Sequence, residues 1–435
     1  MRASLPGDDA EDPLARAYAK VSRQVIPLLL LGYVVAYLDR VNISFAKLQM
    51  QHELGFSDAT YGLAAGVFFV GYFLFGVPSN LILQRVGARR WLSLLMVCCG
   101  LVCGAMMQVR TSASFFTLRF LLGIAEAGFF PGVIYYLTQW YPATRRSAAT
   151  AVFLSSIACC SVFGSMLSGW IMHRLDGVGG LAGWRWLFLL EAFPAVLVGL
   201  AINSRLSNGI DSANWLDEPQ KRLLKAELIR DTAARPAGSL GDVFRQRNVW
   251  VACLIYFCAM TGLYGITFWL PTLIAEIGVT NIVQIGMLTA IPYCAAAVGM
   301  ITVGRRADRS GECQRLIALM ASLGALGLVL SVRVGAHLWA AIPALSVATL
   351  GTFSVPALFW SLPTRFLRET AAAAGIAFIN SCGCLAGFLS PYLIGWLKDS
   401  THSTAMGLYW VAGMMLAAAV LVMVALPRNR VEHGV

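Results

Sequence analysis

The chain is 435 residues long, 58% hydrophobic and 13% charged, with a formal net charge of +11. Soluble globular domains carry about 25% charged residues, so a water-soluble enzyme or binding module is excluded and an integral membrane protein is expected. The basic excess lies in short polar segments between apolar stretches, which argues against a nucleic-acid interface and for membrane topology as its cause.

Residues 1–20 are polar, with Pro6, Pro13 and two acidic pairs, and they lack an apolar core, so no cleavable signal peptide is expected. At about 20 apolar residues per crossing, twelve spans follow in order: 24–46, 60–83, 91–109, 115–138, 148–172, 184–204, 248–274, 282–303, 316–333, 338–360, 371–396 and 404–426. Short connections make these one antiparallel bundle, an all-α integral membrane protein. Lys and Arg gather on one side of it, as in Arg16, Lys20 and Arg23 before the first span and Arg305, Arg306, Arg309 and Arg315 after the eighth. The opposite side holds only Lys47, Arg110, Arg174, Arg185, Arg333 and Lys398. By the positive-inside rule both termini are expected in the cytoplasm, in a multi-pass protein of the cell's inner (cytoplasmic) membrane. Eleven cysteines lie mostly within spans, without paired loop spacings or nearby histidines. They read as small buried hydrophobes, and no disulfide framework, metal or cofactor is expected.

The first span holds Asp39 and Arg40 side by side. A charge at the bilayer centre costs about 2.5–3.5 kcal/mol on insertion scales, so ionisable residues there mark a task. Tyr33, Tyr37, Arg40 and Ser44 fall on one helical stripe. A permanently charged guanidinium flanked by aromatic hydroxyls suits a carboxylate held by paired hydrogen bonds; the competing reading is a structural ion pair with Glu126. Asp39, about 100° round the helix, faces elsewhere. An acid kept from its neighbouring cation in low dielectric can take up and release a proton, or else it neutralises a charge at a helix junction.

Tyr72 in the second span is a candidate cavity aromatic. The fourth span carries Arg119 and Glu126, seven residues and about 10 Å apart along the axis, too far to pair easily with each other. Glu126 reads as a proton carrier or a transient partner for Arg40, and Arg119 as an anchor or a tuning charge. Gly128 to Pro131 should loosen the end of that span. Gly62/Gly66, Gly100/Gly104, Gly128/Gly132 and Gly383/Gly387 predict close helix packing. Glu191 in the sixth span lies near Arg185, and a local structural bond is expected for it. Residues 205–247 are the one long polar interval, with a helix starting at Asp217, Pro219 and Gln220 and carrying Leu223, Leu224 and Leu228 on one side. Trp360 is a second candidate cavity aromatic. Asn380 offers a neutral donor and acceptor, with an interhelical hydrogen bond as the alternative.

Two kinds of turn recur six spans apart. Asn80 to Arg90, after the second span, is matched by Gly304 to Arg315 after the eighth; each has an Arg-x-Gly core, Arg85-Val86-Gly87 and Arg309-Ser310-Gly311. Tyr141-Pro142 through Arg146 is matched by Leu362-Pro363-Thr364-Arg365. The recurrence predicts two pseudo-symmetric six-helix halves, 1–204 and 248–435, joined by a cytoplasmic linker at 205–247 and enclosing a midplane cavity.

The turn with Asp308, Arg309 and Gly311 resembles the G-x-x-x-D-R-x-G-x-R/K hallmark of the major facilitator superfamily. The turn with Arg85, Gly87 and Arg89 is a looser copy, with Asn80 and Gln84 in place of the glycine and the acid. Tyr37-Leu38-Asp39-Arg40-Val41-Asn42, Val77-Pro78-Ser79-Asn80, Arg119 through Gly132, Trp184 through Glu191 and Asn380 through Asp399 narrow the resemblance to the anion:cation symporter branch. That branch includes permeases for tartrate, phthalate, hydroxyphenylacetate and galactonate, and the likeness runs nearly end to end. It implies twelve transmembrane helices in a major facilitator fold, and a secondary transporter working by alternating access rather than an enzyme. A small organic carboxylate (a hydroxy-, sugar or aromatic acid) is the implied substrate, with Arg40 as its anchor and Tyr33, Tyr37, Tyr72, Trp360 and Asn380 around it. Asp39 and Glu126 are the implied proton-coupling acids, Arg119 and Glu191 supporting charges, and the two Arg-x-Gly turns gating loops. Proton-driven import by a monomer in the lipid bilayer is expected; efflux, sodium coupling and a non-transporting sensor remain as alternatives.

Overall fold

A backbone in hydrocarbon has to satisfy its own N–H and C=O groups, and a helix does so within each segment. A computed structural model of the chain describes residues 13–233, 246–335, 337–363 and 369–425, and among these described residues there is no strand. The N-terminal helices are α1 (Pro13–Leu54), α2 (Asp58–Val86), α3 (Ala88–Ala105), α4 (Ser112–Ala127), α5 (Phe129–Thr138), α6 (Ala143–Arg174) and α7 (Gly183–Arg205). A short helix, α8 (Glu218–Ala233), precedes α9 (Arg247–Glu276), α10 (Ile282–Ser310), α11 (Cys313–Val334), α12 (Leu338–Phe359), α13 (Glu369–Thr401) and α14 (Ala405–Val424). Eleven spans, with α4 and α5 counted as one, are long and apolar enough to cross a membrane. α6, at 32 residues, is about 48 Å long and supplies the twelfth.

Helix ends are set by local chemistry. The Ser57 hydroxyl accepts the Thr60 N–H at 3.1 Å to start α2, and the Asn281 carboxamide oxygen accepts from Val283 and Gln284 to start α10. The glycines of the two recurring turns end these same helices: Gly87 (φ +92°) and Gly311 (φ +67°) sit in the left-handed region and return their N–H groups to Leu83 and Ala307. Glycine is the residue for this position because it alone meets no Cβ penalty there. The fourth span is broken at Gly128, where α4 stops and α5 begins, and Pro131 has no N–H to carry a helix through.

Packing repeats with an offset of six spans. α2 lies on α4 as α10 lies on α12, α3 on α7 as α11 on α14, and α1 on α6 as α9 on α13. The two halves meet along α2–α13 and its counterpart α6–α10, with α1 crossing α9. Contact between the halves requires small residues. A Cβ on Gly62 would lie 2.3 Å from the Pro391 carbonyl oxygen, and one on Gly395 would lie 2.2 Å from that of Asp58. Gly66 and Gly387 likewise abut Phe388 and Phe69 across this seam, while Gly100 and Gly104 seat α7 through Ala192.

The described part of the polar interval up to residue 233 docks on the N-terminal half. Trp215 stacks on Trp140 at 5.5 Å, the Tyr136 hydroxyl donates to Ser207 O at 2.7 Å, and Leu224 is fully buried. The α8 start follows the expected cap, with the Asp217 N–H donating to the Gln220 side chain at 3.4 Å. Leu223, expected on the buried side, is exposed, because it precedes Leu224 by about 100° of helix.

Candidate substrate and proton site

α1 brings Arg40 between the halves, opposite the kinked end of α4. Its Nη2 and Nε both reach Glu126 Oε2, at 2.7 and 2.8 Å. The Glu126 side chain is 2% exposed and that of Arg40 17%. The other carboxylate oxygen, Glu126 Oε1, has no protein partner among the described residues. Three rings surround the guanidinium: Tyr72 at 5.1 Å, Phe68 at 5.2 Å and Tyr37 at 6.0 Å. A small cavity lined by Tyr33, Tyr37, Arg40, Glu126, Phe129 and Phe130 adjoins the pair, with Tyr33 tilted on Phe130 at 5.2 Å. The stripe expected on α1 therefore converges with Tyr72, and the cross-bundle pair with Glu126 is formed.

Asp39 points away from this cavity, as its offset from Arg40 required. It is 1% exposed. Cys99 and Cys103, one turn apart on α3, donate their thiols to Oδ2 at 3.3 Å and Oδ1 at 3.2 Å. These cysteines act as donors to an acid, a role their reading as plain hydrophobes missed; their four-residue spacing on a helix opposite an acid was the available signal.

Arg119 is fully buried. Its Nε lies 3.4 Å from the Ala64 carbonyl oxygen, and it stacks on Phe68 at 4.8 Å, the ring that also meets Arg40. Its two Nη atoms have no protein partner among the described residues. Glu191 does not bond Arg185. Six residues of helix put the two on different faces, and Arg185 instead reaches Glu53 at 2.8 Å and the Met107 carbonyl. Both Glu191 oxygens are buried without a protein partner among the described residues.

The C-terminal half supplies further aromatic and polar groups. Trp360 packs on Tyr256 at 5.0 Å and on Phe359 at 5.5 Å, and Asn380 is exposed on α13. Tyr264, not singled out by the sequence, lies against Phe69 at 4.5 Å and within electrostatic reach of Arg40. In the recurring turns, Arg85 and Arg309 are exposed. Arg89 ties to the end of α7 and the start of the polar interval, its side chain donating to the Asn203 carbonyl and its backbone N–H to Asn208 Oδ1 at 3.2 Å. The side chain of Asp308 lies outside the described residues.

A second charged cluster, unread in the sequence, joins the halves at the end opposite these turns. Lys47 is fully buried, 2.7 Å from Asp58, 3.2 Å from the Thr272 hydroxyl and 3.6 Å from the centre of the Trp269 ring. Lys398 bridges Asp58 at 3.1 Å and Glu276 at 2.7 Å. Asp399 accepts the N–H groups of Asp58 and Ala59 at 3.1 and 2.8 Å, an acid from one half capping the positive end of a helix in the other. Each charge sits at a span end, where sequence alone reads it as solvated.

The model of the Major Facilitator Superfamily matches residues 29–391. A putative tartrate transporter of Agrobacterium vitis is 42% identical over 425 residues, covering 96% of each chain. The putative metabolite transport protein NicT of Pseudomonas putida is 43% identical over 418 residues, covering 96% of this chain and 95% of its own. The inward open structure of the xylose transporter XylE from E. coli superposes with a TM-score of 0.75 at 14% identity, over 95% of this chain and 98% of its own, a likeness of fold alone. A family match over most of the length, on a six-plus-six bundle whose packing repeats half against half, settles where the chain stands: it belongs to the Major Facilitator Superfamily, as a multi-pass membrane transporter and not an enzyme.

Proposed function

We propose that the protein imports a small organic carboxylate together with protons, by alternating access of the halves 1–204 and 248–435 about the 205–247 linker, across a bacterial inner membrane with both termini in the cytoplasm. The observation that carries this reading is the Arg40–Glu126 pair. One carboxylate oxygen takes both contacts, the second has no partner among the described residues, and aromatic rings enclose the cation. A substrate carboxylate fits the same guanidinium by paired hydrogen bonds and competes with Glu126 for it.

Removing one partner of a buried ion pair leaves an uncompensated charge, at a cost of about 3–5 kcal/mol. A displaced Glu126 therefore takes up a proton, so anion and proton arrive together. Tyr33, Tyr37 and Tyr72 orient the substrate; Trp360 and Asn380 approach it from the C-terminal half as that half rocks inward. Asp39 is the second proton-binding acid and Arg119 the cation that holds the local charge balance. The closed cluster around Lys47 and Asp58 supports a conformation sealed on the outer side. The kinship with a protein named as a tartrate transporter supports an organic acid as cargo.

The test is the protein reconstituted in proteoliposomes with a trapped pH dye, challenged from outside with tartrate, sugar acids, phthalate and hydroxyphenylacetate. Internal acidification with one class is expected. Uptake of a labelled carboxylate without acidification would overturn proton symport. Binding without uptake would overturn transport in favour of a sensor.

A further inference from the structure

Three carboxylates form a continuous line inside the N-terminal half. An oxygen of Glu126 lies within 4.8 Å of one on Asp39, with Cys99 beside them, and an oxygen of Asp39 lies within 4.8 Å of one on Glu191, with Cys103 beside them. All three residues are buried, at 3%, 1% and 6% exposure. Four helices supply the cluster: α1 gives Asp39 and Arg40, α3 gives Cys99 and Cys103, α4 gives Arg119 and Glu126, and α7 gives Glu191. The charged and titratable groups that face Asp39 are Glu126, Arg119, Cys99, Cys103 and Glu191; those that face Glu191 are Asp39 and Cys103.

The charges do not balance. Three acids stand with two guanidiniums, Arg40 and Arg119, so one negative charge is left over in low dielectric. Carboxylates this close, without a cation for each, share a proton rather than ionise together. Glu126 has Arg40. Asp39 has two thiol donors and the field of Arg119. Glu191 has neither a cation within ion-pair distance nor a hydrogen-bond donor among the described residues, and an ionised carboxylate in that setting is the costly case.

We propose that Glu191 is a proton-binding site: it carries the one proton that the close Asp39–Glu191 pair requires, and the pair is a proton store next to Glu126. This deepens the symport reading, resting on it only for the use made of the proton. When substrate takes Arg40, Asp39 is the acid positioned to pass a proton to Glu126, and Glu191 keeps Asp39 from being left as an isolated charge.

The experiment needs no substrate and no transport. Infrared difference spectra of the purified full-length protein in lipid are taken across a pH step, in H2O and D2O. The wild type is expected to show a buried carboxylic-acid C=O band at neutral pH that shifts in D2O. Glu191→Gln, which keeps shape and neutrality, is expected to remove that band, and Glu126→Gln to leave it. Asp39→Asn, which removes the sharing partner, is expected to alter its frequency. A monodisperse Glu191→Gln protein with the wild-type band intact would overturn the proposal, as would the absence of any such band in the wild type. If the band behaves as stated while proteoliposomes show no acidification, the proton site stands and the symport reading falls.

Discussion

Replacing Asp58 by asparagine tests whether the outer cluster is what holds the halves together. Asp58 is the hub: it takes Lys47 at 2.7 Å and Lys398 at 3.1 Å. Lys398 keeps Glu276, but Lys47, fully buried, loses its only ion-pair partner among the described residues. Breaking a buried pair by removing one side costs about 3–5 kcal/mol. The Thr272 hydroxyl and the face of Trp269 remain to Lys47, and a desolvated cation–π contact offsets about 1–2 kcal/mol. The closed form should therefore lose about 1–4 kcal/mol relative to a form in which opening hydrates Lys47, a population shift of roughly 5- to 1,000-fold. The assay is electron–electron distance measurement between spin labels at His52 and Ser400, exposed positions of the two halves, attached through noncanonical residues so that the native thiols are untouched. A new long-distance population is expected in Asp58→Asn. Wild-type distances in a folded Asp58→Asn protein would refute the assignment of this cluster as a latch.

Glu126→Gln should abolish uphill accumulation driven by an acidic outside medium while labelled-substrate exchange through Arg40 continues, since the glutamine no longer competes as an anion or carries a proton. Retained proton-driven accumulation would remove Glu126 from the coupling. Gly395→Val should open the same outer seam, because its Cβ meets the Asp58 carbonyl, a backbone atom that cannot rotate aside. Overpacking of this kind costs about 1–3 kcal/mol, and the same spin-label pair should report the longer distance with the protein still folded, as the clash lies between the halves and not within one.

What the sequence by itself determined is what depends on local geometry. Span number follows from hydrophobic length. The convergence of Tyr33, Tyr37 and Arg40, and the divergence of Asp39, follow from 100° per residue. The ends of α2 and α10 follow from the two glycines of the repeated turns, and the break in the fourth span from Gly128 and Pro131. Apart from Arg40–Glu126, which the sequence offered as one of two readings, pairing across the bundle was decided by the tertiary structure. Arg185 chose Glu53 on α1 over Glu191 on its own helix, and Cys99 and Cys103 became donors to an acid 60 and 64 residues away. Lys47 found Asp58 at the start of α2 and Trp269 and Thr272 near the end of α9. In hydrocarbon a polar group takes whichever partner the packing of neighbouring helices brings within reach, and that packing is set by glycine-sized contacts along whole seams rather than by the residues on either side of the charge.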